Sequence, residues 1–230
     1  MDQITTTVPQ VHYPESDGKP MGETDVHIDA LIYLREALRD YFRDDPQMYV
    51  AGNMLLYYEE GNPTACVSPD VFVVQGVAKR ERRTYRLWEE GHAPMVVFEI
   101  TSRASRLEDL GTKRAIYAML GVGEYFLYDP LAEYLRPALQ GYRLQDGEYQ
   151  RIPPGDDGGL TSQALGLELR VEDGRLRVIN PATGERLLTP AEALAARRTE
   201  AAARRAAEAE LERLRAEVAR LRGETGRSPG

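Results

Sequence analysis

The chain has 230 residues, room for one domain of ordinary size and an appendage. With 42% hydrophobic and 29% charged residues it reads as a soluble globular protein, and no apolar run approaches the length of a membrane span. A net charge of −8 weighs against a purely electrostatic nucleic-acid binder, and a single cysteine, Cys66, excludes an internal disulfide framework and fits a reducing, cytoplasmic compartment.

Residues 1–23 show no periodicity and are expected to form an extended arm; MDQITTTVPQ has neither the basic start nor the apolar stretch of a secretory signal. Thr24-Asp25 can cap a helix, after which Ile28, Leu31, Ile32, Leu34, Leu38, Tyr41 and Phe42 recur at helical spacing, with Pro46 beyond the end. Three strand-like runs follow, over residues 49–58, 67–74 and 95–100. A helix is expected over 107–120, closed by Gly121, and a strand over 124–128, stopped by Asp129-Pro130. Short strands and turns fill 139–188, with EDGR (172–175) as a hairpin turn. This order predicts an α/β or α+β domain over 24–190 around a mixed central sheet with extra hairpins.

Residues 191–222 differ: Ala, Arg, Glu and Leu dominate, Gly and Pro are missing, and one long helix is expected. Leu211, Leu214, Val218 and Leu221 follow the 3-4-3 spacing of a coiled-coil seam, which runs upstream into Ala207, Arg204, Glu200 and Arg197. The tail holds eight arginines against six glutamates, so the rest of the chain carries about −10. Residues 223–230 are expected to be a disordered end.

The candidate site begins with Glu99, which interrupts the apolar run MVVFEI. Strand alternation puts Val97, Glu99 and Thr101 on one face, and Phe98 and Ile100 on the other. A carboxylate inside a sheet costs several kcal/mol, on the order estimated for buried ions, unless something pairs with it. Asp70 heads the second apolar run, and two acids converging from neighbouring strands would need a cation between them. Oxygen ligands of this kind suit Mg²⁺. Asp109, Lys113 and Tyr117 stand at i, i+4 and i+8 on the following helix; they read either as an ordinary helical ion pair or as a lysine turned back toward the carboxylates.

SPDVFVV, PMVVFEITS and EDLGTKRAIYAMLGVGEYFLYDP, in that order, resemble the bacterial family of restriction endonucleases within the PD-(D/E)XK superfamily, over most of residues 24–190. The resemblance implies a restriction-endonuclease-like fold and metal-dependent hydrolysis of DNA phosphodiester bonds, with Mg²⁺ or Mn²⁺ as cofactor. It assigns Asp70 and Glu99 to the metal and Lys113 to stabilising the transition state. The superfamily's common lysine, two residues after the glutamate, is Thr101 here, and Lys113 takes its part from the next helix. Asp109 would orient Lys113; Gln75, Thr101 and Tyr117 would support the site; His27 falls where relatives often carry a histidine, and equally reads as an ordinary helical residue. For DNA contact the candidates are Lys79, Arg80, Arg82, Arg83 and Arg86 of KRERRTYR, with Arg103 and Arg106. A homodimer through the core or the tail is expected, and no membrane partner. Two other readings stay open: a non-catalytic module with the nuclease fold that associates through its tail, and a two-carboxylate glycosidase, which leaves Lys113 without a part.

Overall fold

The computed structural model describes residues 11–16, 18 and 24–225, with side chains through residue 220. The rest of the arm expected over 1–23, and 226–230 of the expected disordered end, lie outside the described residues; 223–225 are helical. The chain divides into two units, one ending at Leu187 and one beginning at Leu188.

Helix α1 (Asp25–Tyr41) starts where Thr24 turns extended and its hydroxyl accepts the His27 amide at 3.4 Å. Tyr33, Leu34, Ala37 and Leu38 are buried, while Ile28, Ile32 and Tyr41 of the expected stripe remain exposed. Two of the expected strands each prove to be a pair. β1 (Met48–Gly52) and the short β2 (Leu56–Tyr57) are parted at Asn53, whose φ of 48° takes the backbone out of the strand region. β3 (Cys66–Val67) and β4 (Val71–Gln75) are parted at Pro69-Asp70. β5 (Tyr85–Arg86) leads into one turn of helix, α2 (Leu87–Glu90), and then comes β6 (Val96–Ile100), which carries Glu99.

The helix expected over 107–120 is also broken, into α3 (Arg106–Leu110) and α4 (Thr112–Met119). Gly111 forms the joint with φ −116° and ψ −89°, and a Cβ there would lie 2.9 Å from the Leu107 carbonyl. β7 (Glu124–Tyr128) matches its expected bounds. β8 (Leu139–Gln145), β9 (Glu148–Arg151), β10 (Leu160–Ser162), β11 (Leu167–Glu172), β12 (Arg175–Asn180) and β13 (Glu185–Arg186) complete the first unit. Asp173 and Gly174 both have positive φ between β11 and β12, as a type I′ hairpin requires. Among the described residues the second unit contains one helix, α5 (Pro190–Thr225).

The central sheet is ordered β1-β4-β6-β7-β8-β9 and is antiparallel except for β6 and β7. A parallel pair needs a crossover, and α3 and α4 supply it. Separate sheets are formed by β10-β11-β12-β13 and by β3-β2-β5. Alternation along β6 serves two cores. Val96, Phe98 and Ile100 pack toward α1 and the β10–β12 residues Leu160, Leu167 and Val178. Val97 faces Phe72, Tyr117, Tyr125 and Leu127 on the opposite side. Glu99 therefore projects among tyrosines on the α4 face, and what it meets there decides whether the fold tolerates it.

Candidate active site

The site lies where β6 ends and β4 begins. Their antiparallel register pairs Val71 with Phe98, so one further step sets Asp70 opposite Glu99. Asp70 Oδ2 accepts the Ile100 amide at 2.7 Å, and the Asp70 amide lies 3.4 Å from Glu99 Oε2. The Pro69-Asp70 step is itself held from β1: the Asn53 amide points at both the Pro69 and Asp70 carbonyls, at 3.1 and 3.0 Å. Gly52 allows this approach, since a Cβ there would lie 2.6 Å from the Asp70 carbonyl oxygen.

Glu99 is 1% exposed and both of its oxygens are engaged. The Tyr117 hydroxyl donates to Oε1 at 2.6 Å, and the Lys113 ammonium donates to Oε2 at 3.0 Å. Lys113 also lies 3.2 Å from Asp109 Oδ1, so the i,i+4 pair survives the break at Gly111. The Tyr125 hydroxyl donates to the Asp109 carbonyl at 3.0 Å, fixing the end of α3 against β7. His27 Nε2 stands 3.7 Å from Asp70 Oδ1, brought in by the first turn of α1. The Thr101 amide donates to the Tyr128 carbonyl at 2.7 Å, while its buried hydroxyl meets no hydrogen-bond partner among the described residues.

Charge in this cluster is unbalanced. Counted formally, with His27 neutral and every acid ionised, Asp70, Glu99 and Asp109 against the Lys113 ammonium leave −2, a state that burial opposes. Burial pushes the Glu99 carboxyl well above the ordinary glutamate value; Lys113 pulls it down, Asp70 and Asp109 push it further up, and the Tyr117 hydrogen bond opposes them. Burial likewise raises Asp109, against the pull of Lys113. For Lys113, burial disfavours the charge, but Glu99, Asp109 and Asp70 together outweigh it and raise its value. Tyr117 is raised well above a free phenol, first by burial and then by Glu99, so it stays a donor. Among the described residues no three His, Cys, Asp or Glu side chains form a ready-made metal cage. The donors present are two carboxylates, and Mg²⁺ is held by one or two of these while keeping its waters.

The structure thus brings together Asp70, Glu99, Lys113, Asp109, Tyr117, His27 and Thr101. It does not bring Gln75, which is exposed at the far end of β4, about 16 Å along the strand from Asp70 at ~3.3 Å per residue. The basic run 79–86 has partners of its own. Lys79 donates to the Phe42 and Arg43 carbonyls beyond the C-terminal end of α1, some fifteen residues from His27, or about 22 Å along a helix. Arg80 and Arg82 both bind Glu90, at 2.7 and 2.8 Å, and Arg82 also lies over the Tyr49 ring. Arg83 pairs with Glu15, and Arg86 with Glu89 and the Tyr13 ring. Arg103 and Arg106 are exposed on the segment leaving β6, directly after Glu99 and Thr101. Sequence reasoning missed Gly52 and Asn53, whose only signal was a Gly-Asn step inside an apolar run.

A family model described as "Putative restriction endonuclease" (Uma2) matches residues 6–203. The chain belongs to this family. Membership in Uma2 agrees with the resemblance carried by SPDVFVV and PMVVFEITS, and the mixed sheet flanked by helices is the α+β, restriction-endonuclease-like class expected from it. One solved structure, from Anabaena variabilis and described as "a putative nuclease belonging to DUF820", is similar at 14% identity over 64% of this chain and 76% of that one, with a TM-score of 0.48. No curated protein matches the chain. Among the described residues no helix is long and apolar enough to cross a membrane.

Proposed function

We propose that this Uma2 chain is a divalent-metal-dependent endonuclease that hydrolyses phosphodiester bonds of DNA. The observation that carries the reading is the convergence of Asp70, Glu99 and Asp109 around Lys113, a formal excess of two negative charges when all three acids are ionised, which one Mg²⁺ would cancel. Asp70 and Glu99 would hold the ion. When bound, it would supply an activated water and stabilise charge on the scissile phosphate.

The remaining work falls to side chains. Tyr117 donates to Glu99 Oε1 and fixes the carboxylate's orientation, leaving its other oxygen to be shared. Asp109 holds Lys113 at the end of a short arm, where the ammonium can move from Glu99 toward a negatively charged phosphoryl oxygen. His27 lies against Asp70 and can donate to it or take a proton from a water nearby. Arg103 and Arg106, exposed shortly after Glu99 in the chain, would meet flanking phosphates.

One observation favours a second reading, a nuclease-fold module without catalysis: Glu99 is already satisfied by Tyr117 and Lys113. The two separate in one experiment. Supercoiled plasmid is incubated with Mg²⁺ or Mn²⁺ and wild type or Glu99→Ala; the nuclease reading expects nicking by wild type, abolished in the variant. Intact plasmid with both proteins, across ions and with single-stranded substrate, would overturn it.

A further inference from the structure

Helix α5 carries Leu211, Leu214 and Val218, each 46–50% exposed, and Leu221 continues their spacing in the sequence. A regular apolar stripe on a charged helix is the surface a second helix covers. The charges beside the stripe identify that helix. With Leu211 and Val218 at a and Leu214 and Leu221 at d, the g positions are Glu210 and Glu217, and the e positions that follow them are Arg215 and Arg222.

In a parallel pair, each g residue meets the e residue of the next heptad on its mate. Glu210 then faces Arg215 and Glu217 faces Arg222, on both sides of the two-fold axis. An antiparallel pair sets g against g and e against e, which places glutamate beside glutamate and arginine beside arginine. We propose that α5 pairs with α5 of a second copy of this chain as a parallel, in-register coiled coil over residues 207–221.

Three features sharpen this. Val218 at a with leucine at d favours two strands over three or four. Upstream, Arg204 occupies an a position but is 79% exposed and bonded to Glu208 of its own helix at 2.8 Å, so the seam closes at Ala207. Glu210 and Glu217 have only exposed partners on their own helix, Arg213 at 2.8 Å and Arg220 at 3.5 Å, pairs weak enough to give way to the e-position arginines of the mate. The pairing makes no use of Asp70, Glu99 or Lys113, so it stands or falls apart from the nuclease reading.

Sedimentation and light scattering of the full chain over a concentration series test it. Wild type should rise toward twice 25.8 kDa. Glu210→Arg with Glu217→Arg should stay at a single-chain mass, and adding Arg215→Glu and Arg222→Glu should restore the dimer. In a Cys66→Ser background, Ala207→Cys should form an inter-chain disulfide under mild oxidation, because only parallel register puts the two copies of residue 207 together. Circular dichroism checks that each variant keeps its fold. A wild-type chain that remains single at its highest soluble concentration overturns the proposal. So does a dimer indifferent to the glutamate reversal, a reversal the arginine changes do not rescue, or a dimer in which residue 207 does not cross-link.

Discussion

Replacing Lys113 by methionine removes the ammonium that stands 3.0 Å from Glu99 and 3.2 Å from Asp109 while keeping most of the side-chain volume. At an effective dielectric of about 20, each of these contacts is worth roughly 5 kcal/mol of attraction, set against the cost of taking the ammonium out of water. The lysine side chain is 12% exposed and the two acids are 0–1% exposed, so solvent cannot take over its role. Breaking one partner out of a buried ion pair costs about 3–5 kcal/mol, which is the loss expected here without metal. For a protein of this size that corresponds to a drop in Tm of about 6–20 °C. The assay is urea unfolding of wild type, Lys113→Met, Glu99→Gln and the double variant, with and without saturating Mg²⁺. Glu99→Gln alone should stabilise or leave unchanged the metal-free protein, because it relieves the negative excess. The double variant should recover at least half of the Lys113→Met loss, and Mg²⁺ should stabilise Lys113→Met more than wild type. A Lys113→Met loss under about 1 kcal/mol, the range of exposed pairs, would refute the charge argument.

Tyr117→Phe removes one hydrogen bond to a buried carboxylate; it should cost about 1.5–3 kcal/mol and weaken Mg²⁺ binding, read by unfolding and by calorimetry, with unchanged binding counting against a positioning role. Gly52→Ala adds a methyl 2.6 Å from the Asp70 carbonyl oxygen, so it should cost about 1–3 kcal/mol by overpacking and lower Mg²⁺ affinity although it meets only the Asp70 backbone and not its carboxylate. A Gly52→Ala protein with wild-type stability and affinity would show that the Asp70 backbone has room to shift without consequence. Glu90 lies below the ordinary glutamate value of 4.5, chiefly through its hydrogen bonds from Arg82, and burial opposes the shift. The folded form therefore holds this proton less tightly than the unfolded chain, so the stabilisation is present above pH 4.5 and is lost as pH falls through the folded value. Wild type should consequently lose more stability than Glu90→Gln between pH 5 and 3, read from acid-titrated unfolding curves, and parallel curves would reject the assignment.

How much of this was legible in sequence varied with the physics. β6 and the facing of Glu99 followed from strand alternation, and the start of α1 from the Thr24 cap. The breaks inside the first two strand runs did not follow, because the left-handed Asn53 and the Pro69-Asp70 step meet each other through the Asn53 amide and the Pro69 and Asp70 carbonyls, a contact far away in sequence. Spacing left Lys113 open between an ordinary ion pair with Asp109 and a lysine turned back toward the carboxylates, and the family resemblance favoured the second. The basic run 79–86 reads as a substrate surface when charges are counted along the chain, but its counter-ions Glu15, Glu89 and Glu90 become visible only once the chain is folded. Gln75 lies apart from the cluster for a simpler reason, since a residue five places along a strand lies at its other end.

The central claim is that Asp70 and Glu99 share a divalent cation. Calorimetric titration of Mg²⁺, with Mn²⁺ as a second ion, into wild type and Asp70→Asn tests it without recourse to activity. Wild type should bind with saturable heat, and Asp70→Asn, folded by circular dichroism, should bind at least tenfold more weakly, a loss of about 1.4 kcal/mol or more. A folded wild-type protein that takes up neither ion, or an Asp70→Asn protein that binds as tightly as wild type, would contradict the account.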